Sequence, residues 1–485
     1  MAGLAPADIA HARAKALVGL EKLYRRRRKR DSSNSASESS LMKLAVVGAG
    51  WAGLAAAIAL KATGADVTVF EAAPLAGGRA RRVDDLNMGA IDNGQHLLLG
   101  AYTETLALLK QLHPERAVSD LLQQTPLHLE SADGAFRLKA ANLPSPFHTL
   151  WALLTARGLS WRERWLATRM IVSLKQKHWR APARLSVAQL LEQHHQSAML
   201  CRQLWTPLCL ASLNTASDRA CAQLFLNVLR DSLDAPRAYS DMLIPRVDLT
   251  ELWPQAAAET VTMRYRHIVR DVCPTPTAVT IDGEAFEGCV LATPPYACAR
   301  ILKPNENSCA SDTLMAQLGA FEYRAIATLT LQLDAAWHPP HSVLLLDENP
   351  ARGHLGQWLF KRPQANDQVT VVVSDAADFL KHDRASFVDK IATQIREQVQ
   401  RHPNSRGPSQ STMPAVNAHR LIVEKRATFA AVPGLQRPPN QSPWPRLSLA
   451  GDWTDTGYPA VLEGAVRSGK QAAKTLIEAL LSGSA

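Results

Sequence analysis

Three glycines, Gly48, Gly50 and Gly53, stand between a short apolar run, Leu44–Val47, and an Ala-rich stretch reaching about Thr63. In this spacing the first glycine allows a tight turn and the second lets backbone approach a pyrophosphate. The third lets a helix pack closely on its strand. Gly48, Ala49, Gly50, Trp51, Ala52 and Gly53 are therefore candidate phosphate-binding backbone, with the first N–H groups of the helix facing the negative charge. Glu71 closes the next apolar run, Asp66–Glu71, 23 positions after Gly48. An acid placed there accepts hydrogen bonds from an adenosine ribose. A lone glycine pattern is weak, but this one has the strand before, the helix after and the acid on schedule. The alternative is an incidental glycine turn in another α/β protein.

Three further segments decide which dinucleotide is expected. Ala76-Gly-Gly-Arg-Ala-Arg81 follows the second strand, and Gly288-Cys-Val-Leu-Ala-Thr-Pro-Pro295 lies in mid-chain. Leu449-Ala-Gly-Asp-Trp453 with Gly457-Tyr-Pro-Ala-Val-Leu-Glu-Gly-Ala465 closes the chain. Together they resemble the amine oxidase and phytoene desaturase superfamily of flavoproteins. The resemblance implies FAD. It sets Gly78 and Arg79 against the phosphates, Gly451 and Asp452 at the ribityl chain, and Val461 where the last helix points at the isoalloxazine. It also implies an adenine-side backbone contact at Val269. Arg79 offers paired donors to phosphate or carbonyl oxygens, and a helix N-terminus near the flavin would favour its reduced, negative form.

A narrower resemblance rests on Asp92-Asn-Gly-Gln-His-Leu-Leu-Leu-Gly-Ala-Tyr102, Leu204-Trp-Thr-Pro-Leu-Cys-Leu-Ala-Ser-Leu-Asn214 and Val423-Glu-Lys-Arg-Ala-Thr-Phe429. These look like the hydroxysqualene dehydroxylase family of hopanoid biosynthesis, over Met42 to about Ala473. Such a family implies reductive loss of an allylic hydroxyl from hydroxysqualene, giving squalene. The reaction needs a proton donor, a dry channel and a surface that orients the substrate. Gln95 and His96 are the candidate catalytic residues. His96 has the right acid–base range, with a structural histidine beside the cofactor as the equal alternative. Asn214 and Glu463 are weaker donors, readable as a turn cap and a helix-start acceptor, and Lys425-Arg426 binds carbonyls or faces solvent. Two competing functions remain: a carotenoid-type FAD desaturase, and a non-catalytic isoprenoid carrier on the same fold. The carrier has no need of Glu71, Arg79 and Asp452 together.

The elements that must position these residues form an α/β protein. A Rossmann-type FAD-binding domain is expected from residues 42–110, 235–300 and 415–485, interleaved with a substrate domain that is helical over 111–234 and sheet-rich over 301–414. The chain has 485 residues, 46% hydrophobic and 20% charged, enough for a core enclosing a large ligand. Ala101 to about Leu233 reads as mostly helical, notably Leu150–Lys175 and Val187–Leu233. Short strands are expected at Glu259–Met263, His267–Val272, Ala278–Ile281, Gly288–Ala292, Ala327–Leu333, Gln368–Val373 and Leu447–Ala450. Helices are expected at Phe387–Arg401 and Val461–Leu481, with a loop over Pro403–Pro414.

Net charge is +10, and residues 1–41 hold nine Lys/Arg against four Asp/Glu. That basic extension, expected to lack order, is either dispensable or touches anionic lipid through Lys22–Arg30. No basic stripe for nucleic acid is found elsewhere. Seven scattered cysteines fit a reducing cytoplasm, and no Cys/His cluster has metal-ligand spacing, so no metal is expected. Neither a signal peptide nor a transmembrane helix is read. Trp151, Trp161, Trp165, Trp179 and Trp205 either line a hydrocarbon channel or are plain core. Leu150–Trp165, with three arginines, suits an interfacial helix. The expected setting is the cytoplasm, peripheral on the inner membrane face, in association with the enzymes that make hydroxysqualene.

Overall fold

A computed structural model describes residues 41–303, 309–376, 384–403 and 412–482. The readings made for the basic N-terminal extension lie outside these residues, as does most of the 403–414 segment. The chain starts with β1 (Lys43–Val47), α1 (Trp51–Lys61) and β2 (Asp66–Phe70). Next come β3 (His128–Glu130), α2 (Phe147–Leu154), α3 (Trp161–Gln176) and α4 (Thr206–Leu213). The middle holds β4 (Thr262–Arg264), β5 (Gly288–Leu291), β6 (Tyr323–Leu333), β7 (Val343–Leu345), β8 (Trp358–Lys361) and β9 (Gln368–Ser374). Then follow α5 (Arg384–Gln400), β10 (Val416–Phe429), β11 (Leu447–Leu449) and α6 (Leu462–Ser482).

Two five-stranded sheets organise these elements. The first is wholly parallel, in the order β4-β2-β1-β5-β11. Its strands are short, and β1, β2, β5 and β11 are buried almost throughout, as parallel strands covered on both faces must be, while the edge strand β4 is more exposed. One cover is α1, whose residues are buried nearly all round because alanines fill every face. A Cβ on Gly469 of α6 would lie 2.0 Å from the Ala52 carbonyl oxygen, so the last helix rests directly on the backbone of the first. The second sheet is antiparallel, in the order β7-β8-β9-β6-β10, with α5 packed against one face through Phe387, Ile391 and Ile395.

The α/β class with a parallel sheet is as expected; several elements differ. The stretch read as helical contains strands at Leu122–Thr125, His128–Glu130 and Arg137–Lys139. The last two form a hairpin whose turn is tied by Asp133, which accepts from Ser131 Oγ at 2.6 Å and Ala135 N at 3.0 Å. Leu150–Lys175 is broken after Leu154, and Ser160 starts α3 with a capping box to Glu163. The expected strand at Glu259–Met263 forms only from Thr262, because Pro254–Glu259 is helical. β10, the longest strand among the described residues, is absent from the expected elements. It pairs antiparallel along β6, within the second sheet.

Candidate active site

At the end of β1 the chain turns at Gly48 with φ +104°, a value that only glycine adopts without strain. Gly50 then caps α1. No side chain caps this helix, and no acid occupies its first turn, so the free N–H groups at its start are left for an anion. The second glycine loop lies on the first: Gly77 N donates to Ala49 O at 2.8 Å, and a Cβ on Gly78 would fall 3.0 Å from Gly50 Cα. Trp51 is fixed by its indole N–H to Ala80 O at 3.1 Å. The Glu71 carboxylate accepts from Ala49 N and Ala73 N, each at 2.7 Å, and still has outward lone pairs for a ribose diol.

The far end of the chain closes this cradle. Arg79 Nη2 lies 2.8 Å from both oxygens of Asp452, and Nη1 donates to Ala427 O. Burial works against the guanidinium charge, and Asp452 more than restores it, so the net shift is upward. Gly451 N donates to Ser468 Oγ at 2.9 Å, and Val461 stands just before α6. Arg437, which sequence reasoning missed, holds the whole turn. It donates to Asp452 O at 2.7 Å, Trp453 O at 3.2 Å, Tyr458 O at 2.6 Å and Thr456 Oγ1 at 2.9 Å, and also to Thr454 O. Burial lowers its pKa to about 10. It comes from a proline-flanked loop, and no local pattern marks it.

Val269 is buried on the cavity wall, but not in a strand. Residues 267–271 are held in another way: His267 N donates to Glu71 O at 2.9 Å, and Arg270 N and Asp271 N donate to Asp282 at 2.9 and 3.0 Å. The strand begins only at Val272.

The cradle opens into one cavity of about 780 Å³. Gly48, Gly50, Glu71, Gly78, Arg79, Gly451, Asp452 and Val461 line one part of it. Trp179, Trp205, Leu208, Phe225, Ile326, Trp358, Phe360 and Val372 line the rest. The tryptophans therefore divide. Trp179 and Trp205 face the chamber, whereas Trp151, Trp161 and Trp165 are 52%, 73% and 56% exposed on the outer surface of α2 and α3.

Gln95 and His96 lie on the wall of this cavity. His96 Nδ1 is 2.7 Å from Gly94 O, which can only accept, so Nδ1 carries the proton and Nε2 is the free acceptor of the neutral ring. Burial first, and the Arg79 charge as well, hold the ring below the usual histidine range, against the pull of the Gly94 bond. Gln95 Nε2 reaches only the His96 carbonyl, at 3.4 Å. Tyr102, also on the wall, is pushed up by burial and by Glu463, so its phenol keeps its proton. The weaker candidates are fully used elsewhere. Asn214, at φ +46°, ends α4 and bonds Asp375 N at 2.6 Å and Thr428 Oγ1 at 2.9 Å. Glu463 accepts from Glu104 N, Thr105 N, Thr105 Oγ1 and Arg467 Nε. Arg426 stacks over Tyr296 at 4.1 Å.

An uncapped helix start, a carboxylate with spare lone pairs and a glycine-floored cradle fit a dinucleotide. Comparison with known proteins agrees. The flavin containing amine oxidoreductase family matches residues 51–477. A hydroxysqualene dehydroxylase of Rhodopseudomonas palustris is 31% identical over 90% of this chain and 98% of that protein. A probable zeta-carotene desaturase of Synechococcus elongatus is 24% identical over 90% and 99%. Among solved structures, cyclohexylamine oxidase of Brevibacterium oxydans superposes with a TM-score of 0.64 at 17% identity, over 90% of this chain and 99% of that one. The chain is thus an FAD-binding member of the flavin containing amine oxidoreductases and belongs, within them, to the hydroxysqualene dehydroxylase family.

Proposed function

We propose that this enzyme reductively removes the allylic hydroxyl of hydroxysqualene to give squalene. One observation carries the reading: the cofactor cradle and a long apolar chamber are parts of a single cavity. An isoprenoid chain threads such a chamber by burying methyl and methylene groups, and the walls keep water from an allylic cation. When bound and reduced, FAD supplies the hydride for the allylic carbon. The residues named above would hold it: the 48–53 backbone and Gly78 at the phosphates, Glu71 at the ribose, Val269 on the adenine side, and Gly451, Asp452 and Val461 toward the flavin. Leaving hydroxide needs a proton. Neutral His96 accepts a hydrogen bond from the substrate hydroxyl through Nε2; when the ring is charged by a proton taken from solvent, Nε2 donates that proton to the hydroxyl oxygen, which departs as water as the C–O bond breaks. Gln95 orients the same hydroxyl, and the Tyr102 phenol is a second donor on the wall.

The substrate is nearly insoluble in water, and α2 and α3 supply a route from a bilayer. Leu150 and Val172 line the cavity, while Phe147, Trp151, Trp161 and Trp165 cover the outside of the same two helices. Arg164 and Arg169 stack over Trp161 and Trp165 at 4.9 and 4.8 Å, a mixture suited to lipid headgroups. The contact proposed is peripheral; among the described residues no helix is long and apolar enough to cross a membrane.

The deciding experiment mixes chemically reduced holoprotein with hydroxysqualene in detergent without oxygen. Squalene formed with matching oxidation of the flavin supports the reading. Unchanged alcohol beside stable reduced flavin overturns it and favours a desaturase, for which electrons run the other way.

A further inference from the structure

Behind the cavity wall, side chains from three distant parts of the chain meet. Alternation along β3 places Leu129 on the cavity wall and turns His128 and Glu130 to the opposite face. His341, just before β7, brings Nε2 to 2.7 Å from Glu130 Oε2. His128 Nε2 stands 2.9 Å from the same oxygen. From beyond the end of α5, His402 Nε2 lies 3.3 Å from the other oxygen, Oε1. Gly134, in the hairpin turn, packs against the His402 ring, where a Cβ would fall 3.0 Å from Cδ2.

Two imidazoles thus converge on one carboxylate oxygen. His128 Nε2 and Glu130 Oε2 are buried, and among the described residues no well-aligned hydrogen bond joins either to a partner. Buried polar atoms that converge without well-aligned bonds can share a central ion. The three ligand atoms lie within 4.8 Å of one another. Around a zinc ion with bonds of about 2.1 Å, tetrahedral ligand atoms stand about 3.4 Å apart. The two pairs here, at 2.7 and 2.9 Å, need to spread by only about 0.5–0.7 Å to reach that separation.

We propose that His128 Nε2, Glu130 Oε2 and His341 Nε2 bind one divalent transition-metal ion, with His402 fixing the carboxylate from its other oxygen. Two imidazoles and one carboxylate suit zinc and its borderline neighbours better than calcium or magnesium, which take oxygen ligands. The His402 contact is the outer-shell bond that such ligands usually have. Side chains of His128 and His341 are 17% and 33% exposed, which gives the ion an entry path and leaves a position for water. The cluster faces away from the flavin cavity, so the ion would join the hairpin at β3, the loop before β7 and the end of α5 without entering the reaction.

The test uses tag-free, full-length holoprotein grown with zinc, passed through gel filtration and assayed for metal by mass spectrometry. About one zinc per chain is expected in the wild type, and far less in His128→Gln and His341→Gln at unchanged flavin absorbance. Chelation should lower the wild-type Tm, and one equivalent of ZnCl2 should restore it while leaving both variants unmoved. Equal zinc in wild type and variants, or a wild-type Tm indifferent to chelator and ZnCl2, overturns the proposal. If a variant loses its flavin, the stripped and refilled wild type decides alone.

Discussion

A single hydrogen bond sets what His96 can do. With its Nδ1 proton spent on Gly94 and its pKa held below the histidine norm, the ring acts as an acid only in its rarer charged form. If that form delivers the proton, turnover should fall as pH rises past a value below the ordinary histidine pKa. His96→Gln should remove this limb and lower kcat roughly a hundredfold or more; a stopped-flow pH profile of flavin oxidation reads both. Arg437 makes a second case. Its donors tie five acceptors on the 452–458 turn that presents Asp452, so Arg437→Ala should weaken FAD binding at least about tenfold. Fluorescence titration of the apoprotein measures it, and an unchanged affinity would remove that role. Residue-level legibility was uneven. Gly48 and Glu71 could be read because their partners lie within a few dozen positions and a motif records them. Arg437 and the His128–Glu130–His341 group could not, since Glu130 and His402 are 272 positions apart and no spacing rule spans that distance.

At the scale of elements, local signals were reliable wherever one element sufficed. The strand–turn–helix of β1 and α1 and the last helix fell within a residue or two of their expected limits. β10 escaped because its residues are half exposed and alternate poorly, and only pairing along β6 makes it a strand. The hairpin at β3 was hidden in a leucine-rich neighbourhood whose helical texture overrode the short turn between Glu130 and Arg137. Between α2 and α3 the gain was the reverse: the tryptophans were legible, but their outward facing was not. Burying one such indole in a bilayer contributes about 1.5–3 kcal/mol. Trp161→Ser with Trp165→Ser should therefore reduce partition onto anionic vesicles by roughly tenfold or more, with flavin content unchanged. Sedimentation with liposomes tests it, and undiminished binding would leave these side chains without a membrane role.

Across the whole molecule, Asp92 couples stability to pH. Its carboxylate accepts from Leu249 N at 2.8 Å, but burial raises its pKa from 3.8 to about 7. The folded state thus favours the protonated acid. That stability is complete below about pH 4 and is lost as pH climbs through about 7. Asp92→Asn keeps the acceptor and never ionises, so its Tm should match the wild type near pH 4 and exceed it by on the order of 2 °C at pH 8. A thermal series across pH checks the crossing. A second whole-molecule consequence comes from the backbone seating of α6 on α1, where Gly469 meets Ala52. The strand and helix that first shape the phosphate loop leave the ribosome early. Their lid, the outer strand Leu447–Leu449 and the Asp452 partner of Arg79 are made last. During synthesis the Ala-rich helix waits with one face bare while most of the chain is translated, a long interval of exposed apolar surface. Cofactor capture then waits for the segment from residue 447 onward, and a nascent chain stalled before it would be a client for chaperones instead of a partly loaded flavoprotein.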